Sequence, residues 1–211
     1  MAKSSKIPDP TIERLAQYSR PLEVLLKNGA LLILSEKLAE LCGVSPAQVR
    51  KDLAYFGEFG IRGVGYDIRA LLQEIKHILA TDREWTLCIV GMGNLGRALV
   101  ENENFQRRGY NFVAVFDSDP KKIGKTLPCG LTIEPANKIR ELIRKLGITI
   151  GVISTPPFEA QRVANLLIDS GIKAILNFAP TRIRTPDNCA VENVDFTVKL
   201  ENLAYHLGKI S

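Results

Sequence analysis

Apolar residues recur at helical spacing through the first eighty positions and gather into short unbroken runs after them. Ile12, Leu15, Leu22, Leu25 and Leu26 form one stripe, with Asn28-Gly29 as a stop signal. Ser35 is placed to cap a short helix whose inner face is Leu38, Ala39 and Leu41, and Cys42-Gly43-Val44 reads as a turn. Ser45 caps a third helix, opened by Pro46 and running through Val49 and Leu53 to about Phe56. Four glycines between Gly57 and Tyr66 exclude a helix there and predict a β-turn ribbon. Ile68, Leu71, Leu72, Ile75 and Leu79 then outline another amphipathic helix. Beyond Thr81-Asp82-Arg83-Glu84 the pattern changes: strands are predicted near 86–91, 112–117, 149–154 and 173–178, with helices near 94–104, 137–146 and 159–170. Such alternation predicts an α/β fold with a doubly wound parallel sheet. Phe196, Leu200, Leu203, Ala204 and Leu207 mark an apolar stripe on a C-terminal helix. The expected division is therefore 1–81, 82–193 and 194–211, without internal repeats or low-complexity segments.

Composition narrows the class only a little. Of 211 residues, 45% are hydrophobic and 24% charged, an ordinary globular balance. The opening residues lack an apolar signal core, and the early run Ala30 to Leu34 is too short to span a bilayer, so a cytoplasmic protein is expected. Cys42, Cys88, Cys129 and Cys189 are scattered without a Cys-x-x-Cys pair, three of them in apolar surroundings, which predicts free buried thiols and no metal site. The net charge of +5 and pI near 9.0 permit a polyanionic partner without demanding one. Residues 1–80 carry +2 and the remainder +3, so any nucleic-acid contact must come from a local cluster.

The strongest chemical motif is Gly91-Met92-Gly93-Asn94-Leu95-Gly96. It follows the apolar run Thr86 to Val90 and opens a helix, and the next run, Phe112 to Phe116, ends in Asp117. Strand, glycine turn, helix, strand and acid is the order of a dinucleotide site. Gly91 allows a tight turn, Gly93 lets the backbone approach a pyrophosphate, and Gly96 lets the helix pack on the strand. Asp117 can accept from both ribose hydroxyls and would repel a 2′-phosphate, which favours NAD(H) over NADP(H). A tight turn in some other α/β protein is the plain alternative, and a coenzyme A site on the same fold is another.

Ser35 to Leu53 has helix-turn-helix anatomy. Ala39 is small where two helices would cross, and Gly43 suits a left-handed turn. With Val44, Val49 and Leu53 turned inward, Ser45, Ala47, Gln48, Arg50, Lys51 and Tyr55 can face outward. Gln can bond adenine edges, Arg and Lys guanine or phosphate, and Tyr phosphate. The glycine ribbon bearing Arg62 would be a wing on a groove flank. The competing reading is a structural helical hairpin with a solvated basic face, or a docking module in a nucleotide-binding regulator of another protein.

An NAD-dependent oxidoreductase with a helical N-terminal domain is the main rival, and it would need a proton donor near the hydride centre. His77 and His206 lack an obvious orienting carboxylate in a loop after a strand. Tyr205 and Lys209 match a Tyr-x-x-x-Lys spacing at the chain end, without strand or serine context. No catalytic residue is assigned.

Arg50-Lys51-Asp52-Leu53-Ala54-Tyr55-Phe56-Gly57-Glu58-Phe59-Gly60-Ile61-Arg62-Gly63-Val64-Gly65-Tyr66 resembles the recognition helix and wing of the Rex family of redox-sensing repressors. Gly91 to Leu99, Phe116-Asp117, Leu176-Asn177-Phe178-Ala179-Pro180 and Val194-Asp195-Phe196 resemble further family motifs in the same order, so the resemblance runs from about Ile7 to Leu207. It implies a winged helix-turn-helix domain and a Rossmann-like domain in a homodimer that binds an inverted-repeat operator. NADH would release the DNA and NAD⁺ would permit binding. It also implies a C-terminal helix swapped between subunits, with Phe196 beside the partner's nicotinamide pocket. Thr155, Pro156, Asn177, Phe178, Ala179 and Pro180 then join Gly91–Gly96 and Asp117 as cofactor-lining residues. Relatives commonly carry a tyrosine where this chain has Asn102, bonded to the acid that matches Asp195. Asn102, Asp195 and Arg20 are accordingly the switch candidates.

Overall fold

The computed structural model describes residues 7–57, 59–61 and 63–209. The chain divides into two compact units, Met1–Arg83 and Glu84–Ser211.

In the first unit, α1 (Asp9–Lys27) buries Leu15, Tyr18 and Leu22, one turn apart on its inner face, and stops at Asn28-Gly29, where Gly29 takes φ 82°. Strand β1 (Leu32–Ile33) leads into α2 (Ser35–Cys42) and α3 (Pro46–Ala54). Gly43 sits at φ 66° between them, and Ala39 is buried at 1% exposure. Ser45 caps α3 by accepting the Gln48 N–H at 3.1 Å. Ser35 was expected to do the same for α2, but it lies inside the first turn. Leu34 holds the cap position without a side-chain bond, and Ser35 Oγ instead meets Glu36 and Arg50. In the glycine ribbon, Ile61 and Gly65 are joined by reciprocal backbone bonds. The ribbon continues into β2 (Tyr66–Asp67), which pairs antiparallel with β1. Gly65 has no substitute: at φ 99° a Cβ would stand 2.4 Å from the Ile33 carbonyl oxygen. Helix α4 (Ile68–Ile78) seals the unit with Ile68, Leu71, Leu72 and Ile75.

The second unit is built on a parallel sheet of β3 (Trp85–Val90), β4 (Tyr110–Asp117), β5 (Ile133–Pro135), β6 (Ile150–Ile153), β7 (Ala174–Asn177) and β8 (Ala190–Asn193), in the order β5-β4-β3-β6-β7-β8. Numbered from β3, that is the 3-2-1-4-5-6 order of a Rossmann sheet, whose ligand crevice opens where the order reverses, between β3 and β6. Ile139 and Ile143 of α7 (Ile139–Leu146) and Ala160, Val163 and Leu167 of α8 (Pro157–Asp169) belong to one hydrophobic cluster. Leu87, Ile89, Val115 and Val152 form another, with Leu99 packed against it. The edge strands β5 and β8 were not expected. They are three and four residues long, and β5 ends in a proline, so neither carries an apolar run. The helix expected at 94–104 is two: α5 (Asn94–Val100) and α6 (Glu103–Arg107). Glu101-Asn102-Glu103-Asn104 offers no apolar face, and Asn102 takes the Asn104 N–H at 3.0 Å, starting a new helix. Helix α9 (Phe196–Leu207) is capped by Asp195. Among the described residues, no helix is long and apolar enough to cross a membrane and no metal-binding cluster is found.

Candidate functional site

Strands β3 and β6 end side by side, and their carboxyl ends are bonded together. Ser154 N–H donates to Val90 O at 3.0 Å, and Ser154 Oγ donates to Gly91 O at 2.7 Å. Gly91, at φ 103°, cannot carry a side chain because a Cβ would lie 2.6 Å from Ser154 O. Gly96 is equally constrained, its hypothetical Cβ falling 2.1 Å from Gly91 O, so α5 rests directly on the turn. Gly93 differs: nothing lies within 4 Å of where its Cβ would be, and its φ of −77° suits any residue. Neither strain nor neighbours require glycine there. A ligand passing over the backbone would require it. Asn94 and Leu95 are exposed at the start of α5, and Met92 is buried beneath.

Thr155 Oγ1 is buried without a hydrogen-bond partner, the one such side-chain atom among the described residues. An orphaned hydroxyl at the mouth of the crevice is a group waiting for a ligand or water. Pro156 follows it, exposed at the head of α8. The glycine cradle, the space over Gly93 and this hydroxyl together fit a dinucleotide.

Asp117 was expected to hold a ribose diol. It ends β4, but three donors already occupy it: Met92 N–H at 2.7 Å and Lys122 Nζ at 2.9 Å on Oδ2, and Asp119 N–H at 2.8 Å on Oδ1. Burial would raise its pKa, yet these bonds outweigh burial and hold the carboxyl below the usual range. Its first task is therefore to brace the glycine turn through Met92. Asn177 departs further from expectation. It is fully buried, its Nδ2 faces the carbonyls of Ala179 and Thr181 and the Asn193 side chain, and its Oδ1 accepts the Ala179 N–H. Its side-chain bonds all run to the loop after β7 and to Asn193, so it shapes that loop. That loop sets Ala179 inward and Pro180 outward, while Phe178 stacks near Phe196 of the same chain, centroids 6.2 Å apart.

Asn102 and Asp195 each cap a helix, Asp195 accepting from Thr197 N–H at 2.8 Å, and no hydrogen bond joins the two. Arg20 is exposed on α1. Tyr205 and Lys209 do not form a catalytic pair: the ammonium lies over the ring, 4.4 Å from its centroid, a cation–π contact. His77 does have a carboxylate, Asp82, at 3.0 Å, but both belong to the unit Met1–Arg83, which does not contain the glycine turn. All four cysteines are free; Cys88 and Cys189 are buried, Cys42 half-buried and Cys129 exposed. Burial pushes the Cys88 thiol up to about 12, leaving it inert.

On the helical unit, Ser45, Lys51 and Tyr55 are exposed along α3, and Arg62 lies outside the described residues. Arg50 is exposed but leans sideways onto Ser35 Oγ at 2.8 Å and Glu36 Oε1 at 3.4 Å. Gln48 turns inward, donating to Asp52 Oδ1 at 2.8 Å. Asp52 itself is the residue the sequence reading missed. Wholly buried, it takes Arg14 on both oxygens at 2.6 and 2.8 Å, Tyr18 Oη at 2.7 Å and Thr11 Oγ1 at 3.3 Å, besides Gln48. Burial raises its pKa, but the bonds from Arg14, Tyr18 and Gln48 more than compensate and keep it ionised. Flanked by Arg50 and Lys51 it looks like a solvated acid. Its place three residues after buried Val49 was the available sign that it lies on the inner face.

Residues 6–54 match the family model described as "Putative DNA-binding protein N-terminus", and residues 82–181 match "CoA binding domain". The solved structure of RSP with β-NAD⁺ and operator DNA is 35% identical, superposes with a TM-score of 0.92, and is matched over 97% of this chain and 94% of that one. RSP with β-NADH is 33% identical with a TM-score of 0.87, over 97% and 96%. A redox-sensing transcriptional repressor Rex from Syntrophobacter fumaroxidans is 54% identical over 98% of each chain. A glycine cradle and a winged helix in one chain, with this identity from end to end, place the chain in the Rex family of redox-sensing transcriptional repressors.

Proposed function

We infer that the protein is a transcriptional repressor that binds operator DNA through its winged helix and reads the NADH/NAD⁺ balance through its Rossmann unit. It is a regulator rather than an enzyme, and its relatives are named redox-sensing transcriptional repressors. RSP, matched over nearly its whole length, binds β-NAD⁺, β-NADH and operator DNA. The single observation that carries the reading in this chain is the turn that is tight at Gly91 and Gly96 but open over Gly93. Gly93, Thr155, Pro156, Phe178 and Pro180 would hold the cofactor, whose hydride-bearing ring supplies the redox signal. Ser45, Lys51, Tyr55 and Arg62 would meet DNA directly, with Arg50 leaving its ion pair to join them.

The protein acts as a homodimer in the cytoplasm. Helix α9 supports this: Phe196, Leu200, Leu203 and Leu207 are each more than half exposed, an apolar face that a second copy would cover by exchange of the helix. NAD⁺ and NADH differ by one hydride and the ring's positive charge. A ligand shifts an equilibrium only by its differential affinity for two states. A dry pocket of Pro156, Phe178 and Pro180, closed by Phe196 of the partner subunit, prefers the neutral ring, and its closure changes the spacing of the two recognition helices. DNA half-sites keep a fixed pitch, so a wrong spacing cannot dock both. A coupling of about 3 kcal/mol gives roughly 100-fold discrimination.

A gel shift with inverted-repeat DNA tests this. The complex should persist with NAD⁺ and dissociate with NADH. DNA binding indifferent to NADH would overturn the sensor, and NADH consumption with carbonyl compounds would revive the oxidoreductase.

A further inference from the structure

One cation of the winged helix is held by its own chain. The first turn of α2, helix α3 and the glycine ribbon surround a groove of about 680 Å³, lined among others by Ser35, Glu36, Arg50, Gly60 and Tyr66. Arg50 Nη1 donates to Ser35 Oγ at 2.8 Å and reaches Glu36 Oε1 at 3.4 Å, and Ser35 Oγ donates to Glu36 Oε2 at 3.2 Å. Ser35 is buried and does not cap α2, so its hydroxyl is a fixed hook for the guanidinium. Glu36 keeps its charge, because its own backbone N–H, Ser35 and Arg50 hold the carboxyl below the usual range. A first-turn carboxylate suits the dipole of α2 whichever way it points, and this one points at α3. Lys51, next on α3, is exposed and has no carboxylate partner among the described residues, so the restraint singles out Arg50.

We propose that Glu36 is a positioning residue for DNA binding, an internal competitor that holds Arg50 off the duplex and so limits operator affinity. This rests on the winged helix being the DNA-binding unit. A carboxylate and a phosphate compete for the same guanidinium, and a guanine edge competes for its N–H groups. Arg50 must leave Glu36 before DNA can take it, so the strength of the pair is subtracted from the strength of the complex. Glu36 and Arg50 are 65% and 54% exposed, which makes the pair weak enough to open. By linkage, whatever loosens the complex lowers the NADH needed to dissociate it. Glu36 therefore sets where on the NADH scale repression is lifted, although it belongs to the unit that lacks the glycine turn.

The test uses full-length protein and a duplex that wild type enriches from a random-sequence pool, with Kd read by fluorescence anisotropy. Glu36→Gln should bind this duplex about twofold to fivefold tighter than wild type, the worth of an exposed ion pair. With protein well above Kd, it should need more NADH for half release, by a similar factor. Arg50→Met should bind more weakly, and adding Glu36→Gln to it should tighten binding no more than Glu40→Gln does. Glu40 is the control for charge alone, one turn further along α2 and paired with Lys37. Tightening by Glu36→Gln that survives in full without Arg50 is plain repulsion and overturns the proposal. So does Glu36→Gln that binds no tighter than wild type or Glu40→Gln, or Arg50→Met that binds as well as wild type. Wild type that enriches no duplex refutes the DNA-binding reading itself.

Discussion

Replacing Asp52 with asparagine should cost the helical unit a large part of its stability while sparing the nucleotide unit. The carboxylate is fully buried and collects donors from α1 and from its own helix, so it ties the recognition helix to Arg14, Tyr18 and Thr11. Asparagine retains one acceptor oxygen but turns an NH₂ group toward the guanidinium. Breaking a buried pair from one side costs about 3–5 kcal/mol. Arg14 is 23% exposed at its side chain and can partly turn to water, which places the loss near the lower end, about 3 kcal/mol. A unit of this size has roughly 4–12 kcal/mol in all, so its melting temperature should fall by more than about 10 °C. Far-UV circular dichroism follows the helices. Trp85, the single tryptophan, stands at the start of β3, so its fluorescence follows the other unit and should melt where wild type does. The pH dependence has a definite sign. The folded pKa of Asp52 lies below its unfolded value of about 3.9. Its stabilisation is complete above that value and is lost as pH falls through the folded one. Asparagine should remove this acid-labile part. A loss under about 1 kcal/mol, the size of an average substitution, would refute the claim that this cluster anchors α3.

Gly93→Ala should fold and melt like wild type, since a Cβ there meets nothing, yet lose NADH affinity measured by fluorescence titration; Gly96→Ala should be damaged in both, since its Cβ falls 2.1 Å from Gly91 O. Lys51→Ala should weaken operator binding and flatten its salt slope by about one unit if the side chain meets a phosphate. If it reads a base instead, discrimination between operator sequences should fall. Phe196→Ala should leave NADH binding measurable but uncouple it from DNA release in a gel shift. Release at the wild-type NADH concentration would exclude Phe196 as part of the switch.

Much of this protein is legible locally. Helical stripes such as Leu15, Leu22 and Leu71, Leu72, Ile75 name their own buried faces. The glycines at 43, 91 and 96 mark turns whose backbone or clearance no other residue provides. The order of runs around Gly91 to Gly96 foretells both the sheet and its crevice, because strand, turn, helix and the next strand follow one another directly along the chain. What the sequence could not settle is the business of polar groups and edges. Asp52 has no role legible in the sequence until α1, 38 and 34 residues away, supplies Arg14 and Tyr18. Asp117 reads as a free ribose acceptor until Met92, Asp119 and Lys122 are seen to occupy it. Asn177 reads as a ligand group, and only the fold shows that its amide also holds the loop after β7. Strands β5 and β8 leave no apolar signature because they are three and four residues long and carry Glu, Pro and Asn among them. Hydrophobic periodicity is a property of neighbouring residues, whereas a hydrogen bond needs a partner whose position is decided only when distant segments pack.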